Sequence, residues 1–352
     1  MRIRSLALIM TLPASVLLLW SCLTAVPLKP RTPDTLPAQY TDAEFWRFVS
    51  EFSEPGGRFP YENFVSNEVN YQSVIPEVRR RTTPGGVYLG VAPEQNFTYI
   101  AAIQPKVSFI FDIRRQNLVE LLMYKALFEM STDRADFVSQ LFSRRRPAGL
   151  GTGTSARALF DAFERIRPDS QLYNETLAGI KDRLVRQHGF KLSADDQDKI
   201  GYIFRVFFEG GPRMDYAYAS ASPNRSVPSY YALMTGSDSG GTNWAYLADE
   251  VRFRYIRDVQ QRNLIIPIVG DFSGPRAIKT VAAYLKEHGA AVTVFYISNV
   301  EDYLEPSWSG YRSNIQSLPV EENALFIRFV PQSSSLIRSL KDLPIRWPGR
   351  SW

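Results

Sequence analysis

Short apolar runs alternate with helix-like patterns in two separate parts of the chain. In the first part, apolar runs at 87–91 and 107–111 flank residues 94–104, whose apolar side chains recur at helical spacing. The second part repeats the arrangement, with apolar runs at 264–270, 292–297 and 324–330 and a helical pattern at 276–288. Apolar runs that alternate with helices are typical of buried parallel strands joined by crossover helices. The pattern predicts an α/β fold with a three-layer, doubly wound, mostly parallel sheet.

Between these two parts, the strand pattern disappears. Helical spacing is found there at 133–142, 155–166, 170–188, 193–209 and 244–262. This block is an insertion between strands or a helical subdomain beside the sheet. Residues 210–241 within it form a predicted loop rich in Ser, Gly and Tyr, and loops of this length are usually functional or mobile. Tyr230 and Tyr231 each combine a rigid apolar ring with a polar hydroxyl, so we expect them to border a ligand pocket.

The remaining patterns divide the chain into predicted parts. Thr41 and Glu44 form a capping box that begins an aromatic helix. Residues 41–84 as a whole are expected to form a helical and aromatic lid over the mouth of the sheet. The parts that follow are the first half of the core at 85–131, the helical insertion and loop at 132–262, the second half of the core at 263–335 and a C-terminal tail at 336–352.

Pro267 constrains the order of the strands. It lies inside the apolar run 264–270, and proline cannot donate a hydrogen bond to a sheet ladder. As a central strand this run would need a bulge, whereas an edge strand would tolerate the proline. We expect the edge.

Polar residues follow the carboxyl ends of the predicted strands. Gly90 precedes the first turn and Glu94 follows it, Asp112 ends the second strand, and Asp271 and Asn299 end later strands. Open parallel sheets bind ligands at these ends, where an acid after the second strand accepts hydrogen bonds from ribose hydroxyls. These residues are therefore candidates for a nucleoside site.

Two arginines follow Asp112 directly. Arg114 and Arg115 lie just past the end of the strand, where a guanidinium group could bind a phosphate or carboxylate of the ligand. The alternative is a solvated pair that neutralises Asp112 and Glu120. Arg114 is included among the candidate ligand-binding residues.

The layout from the strand at 87–91 to Asp112 resembles the first two strands of class I S-adenosylmethionine-dependent methyltransferases, which have a Rossmann-type core. It also resembles a family of bacterial lipoproteins of unknown function with a methyltransferase-like core. The resemblance implies S-adenosylmethionine as the cofactor, held by Gly90 and Glu94 at the loop, Asp112 at the ribose, Asp271 near the adenine and Asn299 at the tail of the fourth strand. The loop departs from the family because no further glycines accompany Gly90.

Composition narrows the possible chemistry. The net charge of +5 on 352 residues gives no reason to expect a nucleic-acid partner. The two histidines, His188 and His288, each precede a glycine at a predicted helix end, which is a C-cap position. With one cysteine in the chain, a Ser-His-Asp triad and a His or Cys metal site lack their parts, so no metal is expected. A carboxylate pair stays open, with Asp112 and Asp271 as its best candidates.

The first 22 residues have the pattern of a bacterial lipoprotein signal peptide. Arg2 and Arg4 precede an apolar segment that ends in Leu19-Trp20-Ser21-Cys22, which resembles a lipoprotein processing site apart from its tryptophan. We expect Cys22 to be lipidated; the alternatives are an uncleaved anchor or an ordinary signal peptide with a buried thiol. The body is then exported and membrane-anchored, on the periplasmic or outer-membrane side, through the Pro-rich tether at 23–40.

Two functions remain. The first is an active S-adenosylmethionine-dependent methyltransferase acting on a small molecule or protein, because methyl transfer asks mainly for proximity and orientation. The second is an anchored protein that keeps the fold but binds a small ligand or a partner protein, with catalysis reduced or lost. Compartments outside the cytoplasmic membrane are not expected to hold S-adenosylmethionine. The predicted export therefore favours the second function.

Overall fold

The apolar runs of both parts of the chain form strands of one sheet. The computed structural model describes residues 33–216, 227–304 and 307–329 and the backbone of 336–339. In chain order the strands are β1 (Val87–Val91), β2 (Val107–Asp112), β3 (Ile265–Val269), β4 (Val292–Ser298), β5 (Val320–Arg328) and β6 (Leu336–Ser339). They pair in the order β3-β2-β1-β4-β5-β6. Neighbours from β3 to β5 are parallel, and β6 is antiparallel to β5.

This strand order is Rossmann-like. The chain builds outward from β1 to β3, returns to the other side of β1 with β4, and continues to β5. The prediction of an α/β protein with a mostly parallel sheet is therefore confirmed. β6 is an addition to that prediction, because it lies in the part of the chain expected to be a tail.

Helices connect the strands. In chain order the α-helices are α1 (Asp42–Glu51), α2 (Ile75–Arg81), α3 (Gln95–Ile103), α4 (Arg115–Met130), α5 (Arg134–Leu141), α6 (Ala156–Glu164), α7 (Ser170–Lys181), α8 (Ala194–Gly210), α9 (Tyr230–Thr235), α10 (Glu250–Gln261), α11 (Ala277–Glu287) and α12 (Trp308–Ser317). Short 3₁₀ segments are at Tyr71–Val74, Gly211–Arg213 and Val300–Tyr303, and a π-helical segment is at Asp182–Gln187. The sequence patterns did not predict α2 and α12.

The crossovers place helices on both faces of the sheet. Connections between parallel strands are right-handed in nearly all proteins. Since the chain travels one way from β1 to β3 and the other way from β3 to β5, its crossover helices fall on opposite faces. On one face α10 contacts both α3 and α4. On the other, Phe109 of β2 packs against Phe48 of α1 and Tyr284 of α11.

β3 is an edge strand, as its proline predicts. Pro267 is paired with Ile110 of β2, and β3 has no second neighbour among the described strands. Its free edge is covered from the N-terminal side. Val269 N donates a hydrogen bond to Ser53 Oγ (2.9 Å), and Glu54 N donates one to Val269 O (2.8 Å). Backbone groups that an edge strand would leave open are thus satisfied within the chain.

The helical block between β2 and β3 largely follows the predicted segments. α5 to α8 fall within or close to them. The prediction of a helix from residue 244 is wrong for 244–249, because Asp249 is the N-cap of α10. Its carboxylate accepts a hydrogen bond from Arg252 N (2.9 Å), which fixes the start of the helix at Glu250.

The predicted loop at 210–241 contains the short helix α9. Ser229 caps it, accepting a hydrogen bond from Ala232 N (3.2 Å) at its side-chain oxygen. Both tyrosines that begin this helix are buried. The prediction of a continuous loop is therefore wrong over Tyr230–Thr235.

Several sequence predictions lie outside the described residues. These are the signal peptide at 1–22 with Cys22, most of the tether at 23–40, and the tail beyond the backbone of 336–339. In the part of the chain that is described, no helix has both the length and the apolar character needed to cross a bilayer.

Candidate functional site

A cleft of about 350 Å³ lies at the carboxyl ends of β1, β2, β3 and β4, where the strand order changes direction. Each strand end contributes to its lining: Val91 and Ala92, Asp112 to Arg114, Asp271 to Ser273, and Ser298 to Val300. The rest of the wall comes from Arg58, Phe59, Pro60, Asn63, Tyr303, Leu304 and Ser307. A groove of about 460 Å³ between α1 and α11 contains none of the strand-end residues.

Four of the candidate residues meet in this cleft. They are Asp112, Arg114, Asp271 and Asn299. Gly90 and Glu94 are buried and do not line it. Tyr230 and Tyr231 do not line it either, because α9 places them among the helices.

Gly90 makes room for a side chain of the protein itself. A Cβ atom at this position would lie 1.9 Å from Asn96 Oδ1. Asn96 Nδ2 in turn donates hydrogen bonds to the carbonyl oxygens of Val91 (2.8 Å), Ala92 (3.1 Å) and Pro93 (2.8 Å). The turn after β1 is therefore held from behind by an asparagine. Its left-handed residue is Ala92, with φ +63°.

Glu94 is fully buried next to a second buried acid. Its Oε1 accepts a long hydrogen bond from Ser66 N (3.4 Å), and burial raises its pKa to about 8. Burial, followed by the nearby charge of Glu94, also raises the pKa of Glu120 well above its ordinary value. Glu94 Oε2 and both carboxyl oxygens of Glu120 have no hydrogen-bond partner in the described part of the chain. Burial places Glu94 out of reach of a ligand in the cleft.

Asp112 is bound by its own neighbour. Its Oδ1 accepts hydrogen bonds from Arg114 N (2.8 Å) and Nε (2.9 Å), and its Oδ2 accepts one from Arg114 Nη2 (2.7 Å). Both side chains are only 7% exposed. Arg114 Nη1 donates further to the carbonyl oxygens of Tyr61 and Glu62. Each of the three guanidinium nitrogens thus donates to a group inside the protein.

Arg115 points to another partner. Its Nε and Nη2 each donate a hydrogen bond of 2.9 Å to the carboxylate of Asp196 at the start of α8. The alternative in which the arginine pair neutralises acids therefore describes the geometry better than the one in which it binds a phosphate. The neutralised acids are Asp112 and Asp196, and Arg114 and Asp112 are buried rather than solvated.

Asp271 keeps part of its carboxylate available. Oδ1 accepts hydrogen bonds from Ser273 N (2.8 Å) and Ser273 Oγ (2.7 Å), and no described residue donates to Oδ2. The N-terminus of α11 beside it is already occupied. Glu54 Oε1 accepts hydrogen bonds of 2.7 Å from the backbone nitrogens of Arg276 and Ala277. This helix end therefore holds an internal anion rather than an open anion site.

The end of β4 adds residues that the sequence patterns missed. Ser298 has φ +51° and its Oγ donates a hydrogen bond of 2.5 Å to Glu68 Oε1. Tyr296 OH donates to the same oxygen (2.7 Å), and Gln95 Nε2 donates to Glu68 Oε2 (3.0 Å). Glu68 is buried, and burial raises its pKa. Asn299, the next residue after Ser298, has no described partner for its Nδ2.

No local signal in the sequence marks this pair. Glu68 and Ser298 are 230 positions apart. The residues around Ser298 read Tyr-Ile-Ser-Asn-Val, which lacks the glycines of the G-x-S-x-G motif at a strained serine. Only the folded chain brings the two together.

The two tyrosines of α9 complete a helical core. The ring of Tyr230 packs against Phe142 and Phe207, and its hydroxyl contacts that of Tyr246. Tyr231 OH donates a hydrogen bond to Asp161 Oδ1 (2.7 Å). Both hydroxyls are satisfied there, so the placement differs from the expected pocket border.

Residues 63–345 match the model of a family described as Domain of unknown function (DUF7790). The chain belongs to that family. The DUF7790 match includes all six described strands and the cleft residues from Asn63 onward. No curated protein matches the chain.

The DUF7790 cleft fits S-adenosylmethionine only in part. Acids do stand at the ends of β2 and β3, where the resemblance places them. However, the acid at β2 is bound by Arg114, and the turn after β1 offers few donors. Ala92 N donates to Phe111 O (3.2 Å), and Pro93 has no N–H. Among the described residues, no group of His, Cys, Asp and Glu side chains is arranged to hold a metal ion.

Proposed function

We propose that this protein is an exported, lipid-anchored binding protein, and that its Rossmann-like core is of methyltransferase ancestry but no longer transfers methyl groups. Its ligand is a small molecule with nucleoside-like chemistry, which means a planar ring with hydrogen-bonding groups at its edge. The ligand binds in the cleft at the carboxyl ends of β1 to β4.

The pairing of Asp112 with Arg114 carries this proposal. A ribose-binding acid must present carboxylate oxygens to the hydroxyls of the sugar. Here three hydrogen bonds from Arg114 occupy that carboxylate, and both groups are almost fully buried. A sugar would have to replace charge-assisted bonds by neutral ones, which are about half as strong. The cleft thus lies where Rossmann-type sheets bind a cofactor, but Arg114 binds the carboxylate that would contact the ribose.

The rest of the cleft supports ligand binding. About 350 Å³ is within the usual size range for small-molecule pockets. Phe59, Phe272 and Tyr303 provide aromatic surface. Asp271 Oδ2 can accept a hydrogen bond and Asn299 Nδ2 can donate one, which together match the donor and acceptor edge of a heterocyclic base.

Calorimetry with the full chain tests the proposal. Adenosine and S-adenosylhomocysteine should bind with micromolar affinity, and no methyl transfer should be detected with S-adenosylmethionine. Asn299→Ala should weaken binding about fivefold, since one good hydrogen bond contributes about 1 kcal/mol. Tyr231→Phe, which lies outside the cleft, is the matched control. Absence of heat with a folded protein would reject the nucleoside ligand.

An active S-adenosylmethionine-dependent methyltransferase is the second candidate, favoured by the acids at the ends of both β2 and β3. It requires Arg114 to release Asp112 when the cofactor binds. It would be established over the binding protein by methyl transfer to an acceptor, together with micromolar binding of S-adenosylmethionine that is lost in an Asp112→Ala protein still folded by circular dichroism.

The anchor has its own test. The proposed lipid on Cys22 attaches the protein to a membrane, on the periplasmic or outer-membrane side, and the partners are the membrane and a small ligand rather than nucleic acid. Labelled palmitate should be incorporated into the wild-type chain and not into Cys22→Ala. Incorporation that persists in the variant would reject this site.

A further inference from the structure

Ser298 has a conformation that ligand binding does not explain. It is the last residue of β4, it lines the cleft, and its φ of +51° lies in the left-handed region. Residues other than glycine, asparagine and aspartate rarely adopt that region. Such conformations persist only where the surrounding structure holds them, and they cluster at active sites.

The hydroxyl of Ser298 is directed by a buried carboxylate. Its hydrogen bond to Glu68 Oε1 is 2.5 Å long. Glu68 is only 1% exposed, and its other described partners are the uncharged groups of Tyr296 and Gln95. These donors orient the carboxylate without a neutralising cation. Burial also raises its pKa, which makes its ionised form a stronger base.

The other serines of the cleft differ from Ser298. Ser273 Oγ also donates to a carboxylate, that of Asp271 (2.7 Å), but Asp271 is partly exposed. Neither Ser273 nor Ser307 has a positive φ. Among the described cleft residues, Ser298 alone combines a strained backbone with a buried acid on its hydroxyl.

We propose that Ser298 is a nucleophile with Glu68 as its general base, and that the cleft hydrolyses small carboxylic esters. Ser298 Oγ forms a bond to the carbonyl carbon while its proton passes to Glu68. The ester C–O bond then breaks, and the alcohol leaves with the proton from Glu68. Water attacks the acyl–serine ester, gives its proton to Glu68, and releases the acid as the Ser298 hydroxyl is restored.

Asn299 is placed to assist this step. Its side chain lies beside the nucleophile, with Oδ1 3.5 Å from Ser298 Oγ. The Nδ2 of the same amide, for which the structure describes no partner, is the donor that would stabilise the oxyanion forming on the carbonyl oxygen. Phe59, Phe272 and Leu304 give the same cleft apolar surface for the acyl or alcohol part. The inference uses the cleft of the proposed function but needs neither a nucleoside nor S-adenosylmethionine.

A fluorophosphonate probe tests the nucleophile on the full chain. The probe phosphonylates activated serines and releases fluoride, so peptide mass spectrometry should locate the adduct on Ser298. Ser298→Ala should abolish labelling. Glu68→Gln keeps the size of the side chain and should slow labelling about 10²- to 10⁴-fold, the usual contribution of a general base. Ser50→Ala on α1 and Ser170→Ala on α7 are exposed serine positions outside the cleft, and these control variants should label at the wild-type rate.

The rate of p-nitrophenyl butyrate hydrolysis should rank the variants in the same order as the labelling rate does. Unchanged labelling or hydrolysis in Ser298→Ala, or an adduct on another residue, would overturn the proposal. Circular dichroism checks the fold of each variant. Ser298→Cys serves as a second probe, because iodoacetamide should alkylate Cys at this position faster than in a protein that also carries Glu68→Gln. A failure of nucleoside binding in calorimetry leaves these readouts unaffected, so the two proposals fail separately.

Discussion

At the end of β2, two residues that are neighbours in sequence determine what the cleft can hold. Asp112 lies where a ribose-binding acid would lie. Its position could be predicted from the sequence, because it directly follows the apolar run that forms β2. Its pairing with Arg114 could not, since the conformation after the strand decides whether an arginine two positions on folds back or extends. The consequence is an internal ion pair in place of a free acid.

Removal of Asp112 should destabilise the protein strongly. Asp112→Ala leaves the buried guanidinium of Arg114 without its carboxylate, and breaking a buried pair in this way costs about 3–5 kcal/mol. Urea denaturation measures the loss. Arg145→Ala removes an exposed pair with Asp169 and should leave the midpoint unchanged. Equal effects of the two variants would contradict the buried pairing.

Gly90 should tolerate no larger side chain. A Cβ at this position would lie 1.9 Å from Asn96 Oδ1, so Gly90→Ala must displace the asparagine that ties the turn carbonyls. We expect a loss of about 1–3 kcal/mol, measured by urea denaturation. Gly201→Ala lies inside α8 with nothing within 4 Å of the new atom, and should stabilise by about 0.5–1 kcal/mol. Similar changes in the free energy of unfolding in both variants would show that the Asn96 side chain does not depend on the absence of a Cβ at Gly90.

At the scale of elements, a histidine joins two helices. His188 Nδ1 lies 2.9 Å from Asp42 Oδ1 at the start of α1, and its Nε2 lies 2.6 Å from Glu129 Oε2 on α4. Lys125 and Arg183 also face Glu129. Burial opposes a charge on the imidazole, but the hydrogen bond and charge of Glu129 and the hydrogen bond of Asp42 outweigh it and raise the pKa of His188.

This arrangement predicts a pH dependence. The stabilisation from protonated His188 is fully present below the ordinary pKa of 6.5, and it is lost as pH rises through the raised value. The free energy of unfolding should therefore fall from mildly acidic towards alkaline pH in the wild type. This fall should be smaller in His188→Gln, where the buried carboxyls with raised pKa values, Glu68, Glu94 and Glu120, still contribute to it. His288→Gln is the matched control. A fall of the wild-type size in His188→Gln would show that His188 does not contribute to it.

Some helix boundaries can be predicted from nearby residues alone, and others cannot. Thr41 with Glu44 and Ser193 with Asp196 form capping boxes in the structure, and both helix starts follow from the sequence. α9 did not follow from it, because a helix of six residues is too short for a clear periodic pattern. Its tyrosines have the composition of a binding loop, and only packing against other rings reveals them as core.

At the scale of the whole molecule, the residues before β1 close the sheet. The cover segment, residues 53–63, satisfies the edge of β3 through Ser53 and Glu54 and lines the cleft through Arg58, Phe59 and Asn63. Edge strands without such cover pair with other chains. Pro267 indicated the edge from sequence alone. The residues that cover it could not be predicted, because they pair with β3 across more than two hundred positions.

Removal of the cover segment should make the protein associate. A chain that begins at residue 64 loses α1 together with the cover segment, so it exposes both the backbone of β3 and the apolar sheet face beneath α1. A chain that begins at residue 33 keeps both covered. We expect the shorter chain to form oligomers and the longer one to stay monomeric, as measured by size-exclusion chromatography with light scattering. Circular dichroism shows whether both remain folded. A folded, monomeric short chain would argue against the protective role.

The cover segment both lines the cleft and satisfies the edge of β3. Ligand binding in the cleft and association of the protein through β3 are therefore thermodynamically linked. A ligand bound in the cleft stabilises the cover segment in place, so ligand binding also keeps the edge of β3 covered. The free concentration of the ligand would then set how often neighbouring copies can associate through their sheets.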